Sequence, residues 1–242
     1  MLAALSAAPD QTAMVGESSF FVDPNDDDLL ESRNSVFWEA MLDNIRRDRF
    51  GRVPKRVLDI GCHRGGLLAR IAELWGGDAL FGIEPIPAAR ARAQLRLASC
   101  AKTVQILSPE QWKLVPDRSL DLVVCHEVLF TIEDLRGLVG NIARVLASGG
   151  RAYVVAGCHA ENPVWSMWRD AFEREGRQVY THRPLELMGF AGEFGLNPAV
   201  RPLRETGWAT YDPADNVFAF PSVGALLDHQ FRHKLLFRLA QK

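Results

Sequence analysis

Between residues 56 and 157, short apolar runs alternate with stretches of helical spacing. Arg56-Val57-Leu58-Asp59-Ile60-Gly61 reads as a strand ended by glycine. Leu67 to Trp75 has helical periodicity and stops at Gly76-Gly77. Ala79 to Glu84 is a second strand, Pro87 to Ser99 a helix begun by proline, and Thr103 to Leu107 a third strand. Leu120 to Cys125 is a fourth strand, Glu133 to Leu146 a helix closed by Gly149-Gly150, and Arg151 to Gly157 a fifth strand. Short apolar strands alternating with helices predict an α/β fold, a doubly wound parallel sheet with helices on both faces.

The flanks are less regular. The acidic run Asp23 to Asp28 suits the positive end of a helix, expected over 28–48 with Leu29, Leu30, Val36, Phe37, Met41 and Ile45 as its apolar positions. The basic cluster around Arg46 and Arg47 fits its C-terminal end. After Gly157, helices are expected over Pro163–Glu175 and Pro184–Phe194, and a β-like stretch from about Pro198. Residues 207–230, rich in Gly, Pro and Asp, read as a long connection, and Lys234–Leu239 as the last strand. The expected organisation is a flexible tail over 1–17, a helical lid over 18–55, a core over 56–157 and the remainder of the same domain over 158–242.

Composition adds exclusions. The 242 residues are 48% hydrophobic and 24% charged, with net charge −2, which permits a sizeable core. Such a balance is no footprint for nucleic acid or an anionic membrane, and no apolar run reaches transmembrane length. The first residues lack a basic stretch before an apolar run, so a soluble tail and a cytoplasmic location are expected. Four widely spaced cysteines without a CxxC argue against a disulfide framework. Three of them are followed by histidine: Cys62-His63, Cys125-His126 and Cys158-His159. Composition alone would give about 0.1 such pairs.

The first strand-to-helix turn, Asp59-Ile60-Gly61-Cys62-His63-Arg64-Gly65-Gly66, lies where open α/β sheets bind ligands. His63 occupies the position where a dinucleotide fingerprint needs its second glycine, which argues against NAD or FAD. With Gly82-Ile83-Glu84-Pro85, Pro116 to Val123 and Asn141 to Arg151, this turn resembles the four ordered motifs of the class I S-adenosylmethionine-dependent methyltransferases, in their small-molecule, methyltransferase type 11-like branch. The resemblance covers 56–157. It implies a Rossmann-like, seven-stranded sheet, mostly parallel with an antiparallel last strand, and it brings strands one, four and five side by side. All three Cys-His pairs would then border one cleft.

The resemblance also implies a cofactor, S-adenosylmethionine, leaving as S-adenosylhomocysteine. Its contacts would come from Asp59, Gly61, Cys62, His63, Gly65, Glu84, Pro85, Cys125 and His126, with Glu84 accepting the ribose hydroxyls. Pro109 stands where the family's adenine-binding aspartate is usual, so Glu110 or Gln111 would supply that hydrogen bond. His63, replacing a glycine, must avoid a positive φ or accept it.

For the reaction, His126 and then His159 are the candidate general bases. Phe20, Phe21, Trp165, Trp168, Tyr180 and His182 are candidate acceptor contacts, with Trp38, Trp208, Tyr211, Phe218 and Phe220 near the same mouth. No metal site is expected, because alternation along a strand turns each Cys away from its His. The expected activity is methyl transfer to a small-molecule acceptor, at oxygen first, then nitrogen, carbon or sulfur. Neither a nucleic acid nor a membrane is an expected partner, and the chain would act as monomer or homodimer. The alternatives are a non-catalytic binding or regulatory module of the same fold and, third, an NAD-dependent oxidoreductase.

Overall fold

The computed structural model describes residues 24–49, 52–213 and 218–241, with side chains from residue 29 onward. Seven strands form one sheet in the order β3-β2-β1-β4-β5-β7-β6. The strands are β1 (Arg56–Ile60), β2 (Ala79–Ile83), β3 (Thr103–Leu107), β4 (Leu120–His126), β5 (Leu146–Ala156), β6 (Leu196–Pro202) and β7 (Leu235–Gln241). The first five are parallel, and β7 runs antiparallel to both β5 and β6. Helices α1 (Pro24–Asp48), α2 (Gly66–Trp75) and α3 (Pro87–Leu97) cover one face. On the other lie α4 (Leu135–Val145) and α6 (Pro184–Glu193). Among the described residues, no helix is long and apolar enough to cross a membrane.

The reason for two covered faces is visible in the strands. In β1, Val57 faces α1 and α2 while its neighbours Leu58 and Ile60 face the α4 side, and all three are buried. A strand buried on both sides needs a continuous apolar run rather than alternation. The α1 stripe Phe37, Met41 and Ile45 lies one or two turns apart, so a single face is buried against β1, β4 and β5.

Two expectations change. Strand β5 starts at Leu146 rather than Arg151, because its register against β4 breaks between Leu120 and Leu122 and absorbs Gly149-Gly150 within the strand. The connection over 207–230 is not irregular throughout. Ser222 caps a short helix, α7 (Val223–Asp228), through a 3.1 Å bond from the Ala225 N–H, and a π-helical turn follows over His229–His233. That turn carries two side chains inward.

An aromatic cluster stands at the carboxyl edge of β4 and β5. Phe130, Trp165, Trp168 and Phe172 form it, with Phe218 and Phe220 packed against it from the connection before α7. Helix α5 (Trp165–Arg174) supplies three of these rings at helical spacing.

Candidate functional site

A cavity of about 580 Å³ opens at the carboxyl edge of β1, β2, β4 and β5, covered by α1 and by residues 210–212, Phe218 and Phe220 of the connection before α7. A smaller one of about 60 Å³ adjoins it between α1 and the β1–α2 turn. Gly61, His63 and His126 belong to the walls of both.

The β1–α2 turn is fixed by backbone bonds. Gly61 and Cys62 donate to Ile83 O at 2.7 and 3.2 Å, and Gly65 donates to Cys62 O at 2.8 Å. Gly61 has φ +73°, and a Cβ there would overlap Val128 Cγ2, so only glycine fits. His63 accepts a positive φ of +48°, held by its N–H donating 2.9 Å to Glu84 Oε2. Glu84, buried at the end of β2, also accepts the Ile86 N–H at 2.9 Å through Oε1. Its carboxylate is therefore aimed by two backbone donors before any ligand arrives.

Asp59, one pleat before the turn, is 2% exposed and lines the smaller cavity. Burial, and then the neighbouring Glu84 charge, push its carboxyl well above the usual range. Among the described residues no hydrogen bond reaches this carboxyl, and the Glu84 carboxylate is its charged neighbour in the corner.

Across the cavity, β7 inserts between β5 and β6 and brings Lys234 to Glu127. Lys234 Nζ donates to Glu127 Oε1 and lies 4.2 Å from the Phe37 ring centroid. Glu127, in a left-handed conformation at φ +54°, accepts the Gly157 N–H through Oε2 at 2.9 Å. Burial would raise its carboxyl, but the Lys234 charge and hydrogen bond, with His126 and the Gly157 N–H, together outweigh that and hold it at about 2. His229 is buried beside them, with Nδ1 3.0 Å from Asn162 Nδ2. At the mouth, Arg33 of α1 meets Asp212 of the connection at 2.9 Å.

The expected residues divide sharply. Gly61, His63, Glu84, Pro85, His126, Trp168, Tyr211, Phe218 and Phe220 line the large cavity. Asp59, Cys62 and Trp38 line the small one. Burial pulls His126 down to about 3, so its ring is neutral, and its buried Nε2 has no hydrogen-bond partner among the described residues. Of the three Cys-His pairs, each sits at a strand end as expected, but only Cys62, His63, His126 and Cys158 reach a cavity wall.

The others lie elsewhere, for physical reasons. His159 has both nitrogens engaged, with Nε2 2.7 Å from His233 O and Nδ1 accepting the Glu161 N–H at 3.2 Å, so it ties loops together. Cys125 points into the α4-side core. Glu110 and Gln111 sit on an exposed 3₁₀ turn, where Gln111 accepts the Ser108 N–H at 2.9 Å as a cap. Gly65 supplies the cap position of α2, outside either wall. Trp165 is a buried member of the aromatic cluster, off both cavity walls, and donates to Thr181 Oγ1 at 2.8 Å. Tyr180 reaches Glu133, and His182 bonds Ile132 O at 2.7 Å, both away from the cavity. Trp208 is 90% exposed. Phe20 and Phe21 lie outside the described residues. Among the described residues no group of three or more His, Cys, Asp or Glu is placed to hold a metal ion.

Glu127, Lys234, His229 and Asn162 escaped the sequence reading. Glu127 had a signal, since it directly follows His126 at a strand end. Lys234 and His229 had none, because only the insertion of β7 beside β5 brings them to β4.

Known proteins resemble this chain in sequence or in fold. A family profile described as a methyltransferase domain matches residues 33–197. A rice (Oryza sativa subsp. japonica) protein named "Probable tocopherol O-methyltransferase, chloroplastic" is 28% identical over 60% of this chain and 39% of its own length. The ubiquinone biosynthesis O-methyltransferase of Aeromonas salmonicida is 34% identical over 47% of this chain and 48% of its own. The chain thus spans less than half the length of these curated relatives. Two solved structures share the fold. One is a chain of the complex between the Haloferax volcanii Trm112 methyltransferase activator and a methyltransferase, with TM-score 0.68, 19% identity, and coverage of 90% of this chain and 94% of that one. The other is the Streptomyces coelicolor geranyl diphosphate C-methyltransferase, with TM-score 0.62, 16% identity, and coverage of 82% and 74%. The profile match spans well over half the sequence and includes the β1–α2 turn, Glu84 and the strand ends that wall the cavity, and the chain accordingly belongs to the methyltransferase domain family.

Proposed function

We propose that this protein transfers a methyl group from S-adenosylmethionine to a small-molecule acceptor, with oxygen as the first choice of acceptor atom. The observation that carries this reading is the buried Asp59 carboxyl, which no hydrogen bond reaches among the described residues and which burial and the Glu84 charge push well above the usual range, beside a glycine turn that no other residue would fit. A ligand with a cationic end relieves that corner electrostatically. S-adenosylhomocysteine or sinefungin in fold neighbours supports the same choice.

When bound, S-adenosylmethionine supplies a methyl on an already good leaving group, so alignment and water exclusion can provide much of the rate. The chain's residues divide that work. Glu84, aimed by the His63 and Ile86 N–H groups, would accept two adjacent hydroxyls with its two oxygens. Asp59 faces the cationic end from the smaller cavity. The buried Nε2 of His126, lacking a partner in the chain, is a natural ligand contact. With a proton affinity near 3, His126 is a poor general base at neutral pH, so an acceptor that arrives ionised or needs no deprotonation fits best. Phe130, Trp168, Phe218 and Phe220 offer rings to an apolar acceptor and keep water out.

Calorimetry with S-adenosylhomocysteine tests the proposal. The wild type should bind in the micromolar range, and Glu84→Ala should weaken that by about tenfold or more. No binding by the wild type, or equal binding by the variant, overturns it.

A further inference from the structure

We propose that the inner end of the large cavity is a donor-rich recognition site for the acceptor's oxygen, with His229 as the specificity-determining residue. The acceptor would be a planar, apolar compound carrying a carbonyl or ionised oxygen. This rests on reading the cavity as the acceptor side of a methyl-transfer site.

Asn162 fixes the proton on His229. Its Oδ1 accepts the Val164 N–H at 3.2 Å, which orients the amide. The Nδ2 group then donates to Gly157 O at 2.6 Å and to His229 Nδ1 at 3.0 Å. Because Nδ1 receives a hydrogen, it is the lone-pair nitrogen, and the neutral ring carries its own proton on Nε2. Burial, with the Lys234 charge second, keeps His229 well below its ordinary range and hence neutral. The ring cannot turn freely, since it stands edge-on to Trp168 at 4.8 Å and against Phe220 at 5.5 Å between centroids. Among the described residues nothing accepts from Nε2–H.

The surrounding acceptors are already served. Glu127 takes Lys234 on one oxygen and the Gly157 N–H on the other. Gln230 Oε1 takes the Thr210 N–H at 3.1 Å. His229 Nε2–H is the donor left over, with the Lys234 ammonium close to the same oxygen of Glu127 that neighbours Gly157. A ligand offering an oxygen lone pair satisfies it, whereas one offering only N–H groups leaves a buried donor unmade. The rings of Phe130, Trp168, Phe218 and Phe220 set the planar, apolar body.

The probes are acetophenone, benzoate, toluene and benzylamine, whose binding to the full chain is read by ligand-observed NMR titration with and without S-adenosylhomocysteine. Acetophenone or benzoate should bind at least about tenfold more tightly than toluene and benzylamine. His229→Phe, which keeps an aromatic ring, should erase that preference, and His229→Gln, which retains a donor, should restore part of it. Independently of any variant, a long-range ¹H–¹⁵N correlation on the wild type should show Nε2 protonated and Nδ1 not. Equal binding of toluene or benzylamine, a preference that survives His229→Phe, or a proton on Nδ1 overturns the proposal. S-adenosylhomocysteine binding in the same samples separates the two readings: its loss from the wild type refutes the methyl-transfer reading, while the probe preference still judges the donor site.

Discussion

Lys234 and Glu127, 107 residues apart in sequence, form a buried ion pair that joins the start of β7 to the end of β4 across the inner cavity. Side-chain exposure is 7% for Lys234 and 16% for Glu127, so neither charge is well solvated alone. Removing one partner should cost more than removing both. Lys234→Met is expected to destabilise the fold by about 3–5 kcal/mol, and Lys234→Met with Glu127→Gln to recover much of that. Urea unfolding of both variants beside the wild type measures it. Glu127 has a folded pKa near 2, below its unfolded value, so its contribution is full above about 4.5 and is lost as pH falls toward 2. The double variant should lack that acid slope.

Asp59 carries the opposite sign. Its folded pKa stands above the unfolded one, so folding takes up a proton between them, and stability falls as pH rises above about 4. Asp59→Asn should therefore unfold at higher urea than the wild type at pH 7, by on the order of 1 kcal/mol, with the gap closing near pH 4. Cofactor binding should weaken in the same variant. A variant less stable at pH 7 would mean that the carboxylate has a partner inside the fold.

Gly61 separates two kinds of cost. Gly61→Ala introduces both an overlap with Val128 Cγ2 and a side chain at φ +73°. Placed in a Val128→Ala background, it loses the overlap and keeps the backbone strain. Relative to Val128→Ala alone, the double variant should be about 1–2 kcal/mol less stable. An indistinguishable denaturation midpoint would show that the turn relaxes.

Asp48 anchors the far end of α1. It accepts Tyr153 Oη at 2.6 Å, Arg151 Nη1 at 2.7 Å and Arg238 Nη1 at 2.8 Å. Burial opposes its charge, but these donors together hold its carboxyl below the usual range. Asp48→Ala should destabilise by about 1–3 kcal/mol at pH 7, and by less as pH falls through the folded pKa, since protonation already weakens the cluster there. Thermal unfolding at pH 3 and pH 7 makes the comparison.

The sequence by itself determined the five parallel strands, their alternation with helices, and the β1–α2 turn with Glu84 across from it. Those signals are local: a strand buried on both faces must be a continuous apolar run, and a glycine forced to positive φ leaves its mark at one position. Helix α1 and the Trp-rich helix were legible for the same reason, since 3.6-residue periodicity needs only its own segment. Tertiary structure alone decided which of those residues share a cavity. The antiparallel entry of β7 between β5 and β6 carries Lys234 to Glu127, and the turn before it carries His229 to Asn162 and Trp168, with no local pattern to announce either. It also removed His159, Cys125, Tyr180 and His182 from the cavity walls. A residue type and a strand end narrow a side chain's position, but its direction and its hydrogen-bond partners depend on chain segments far away in sequence.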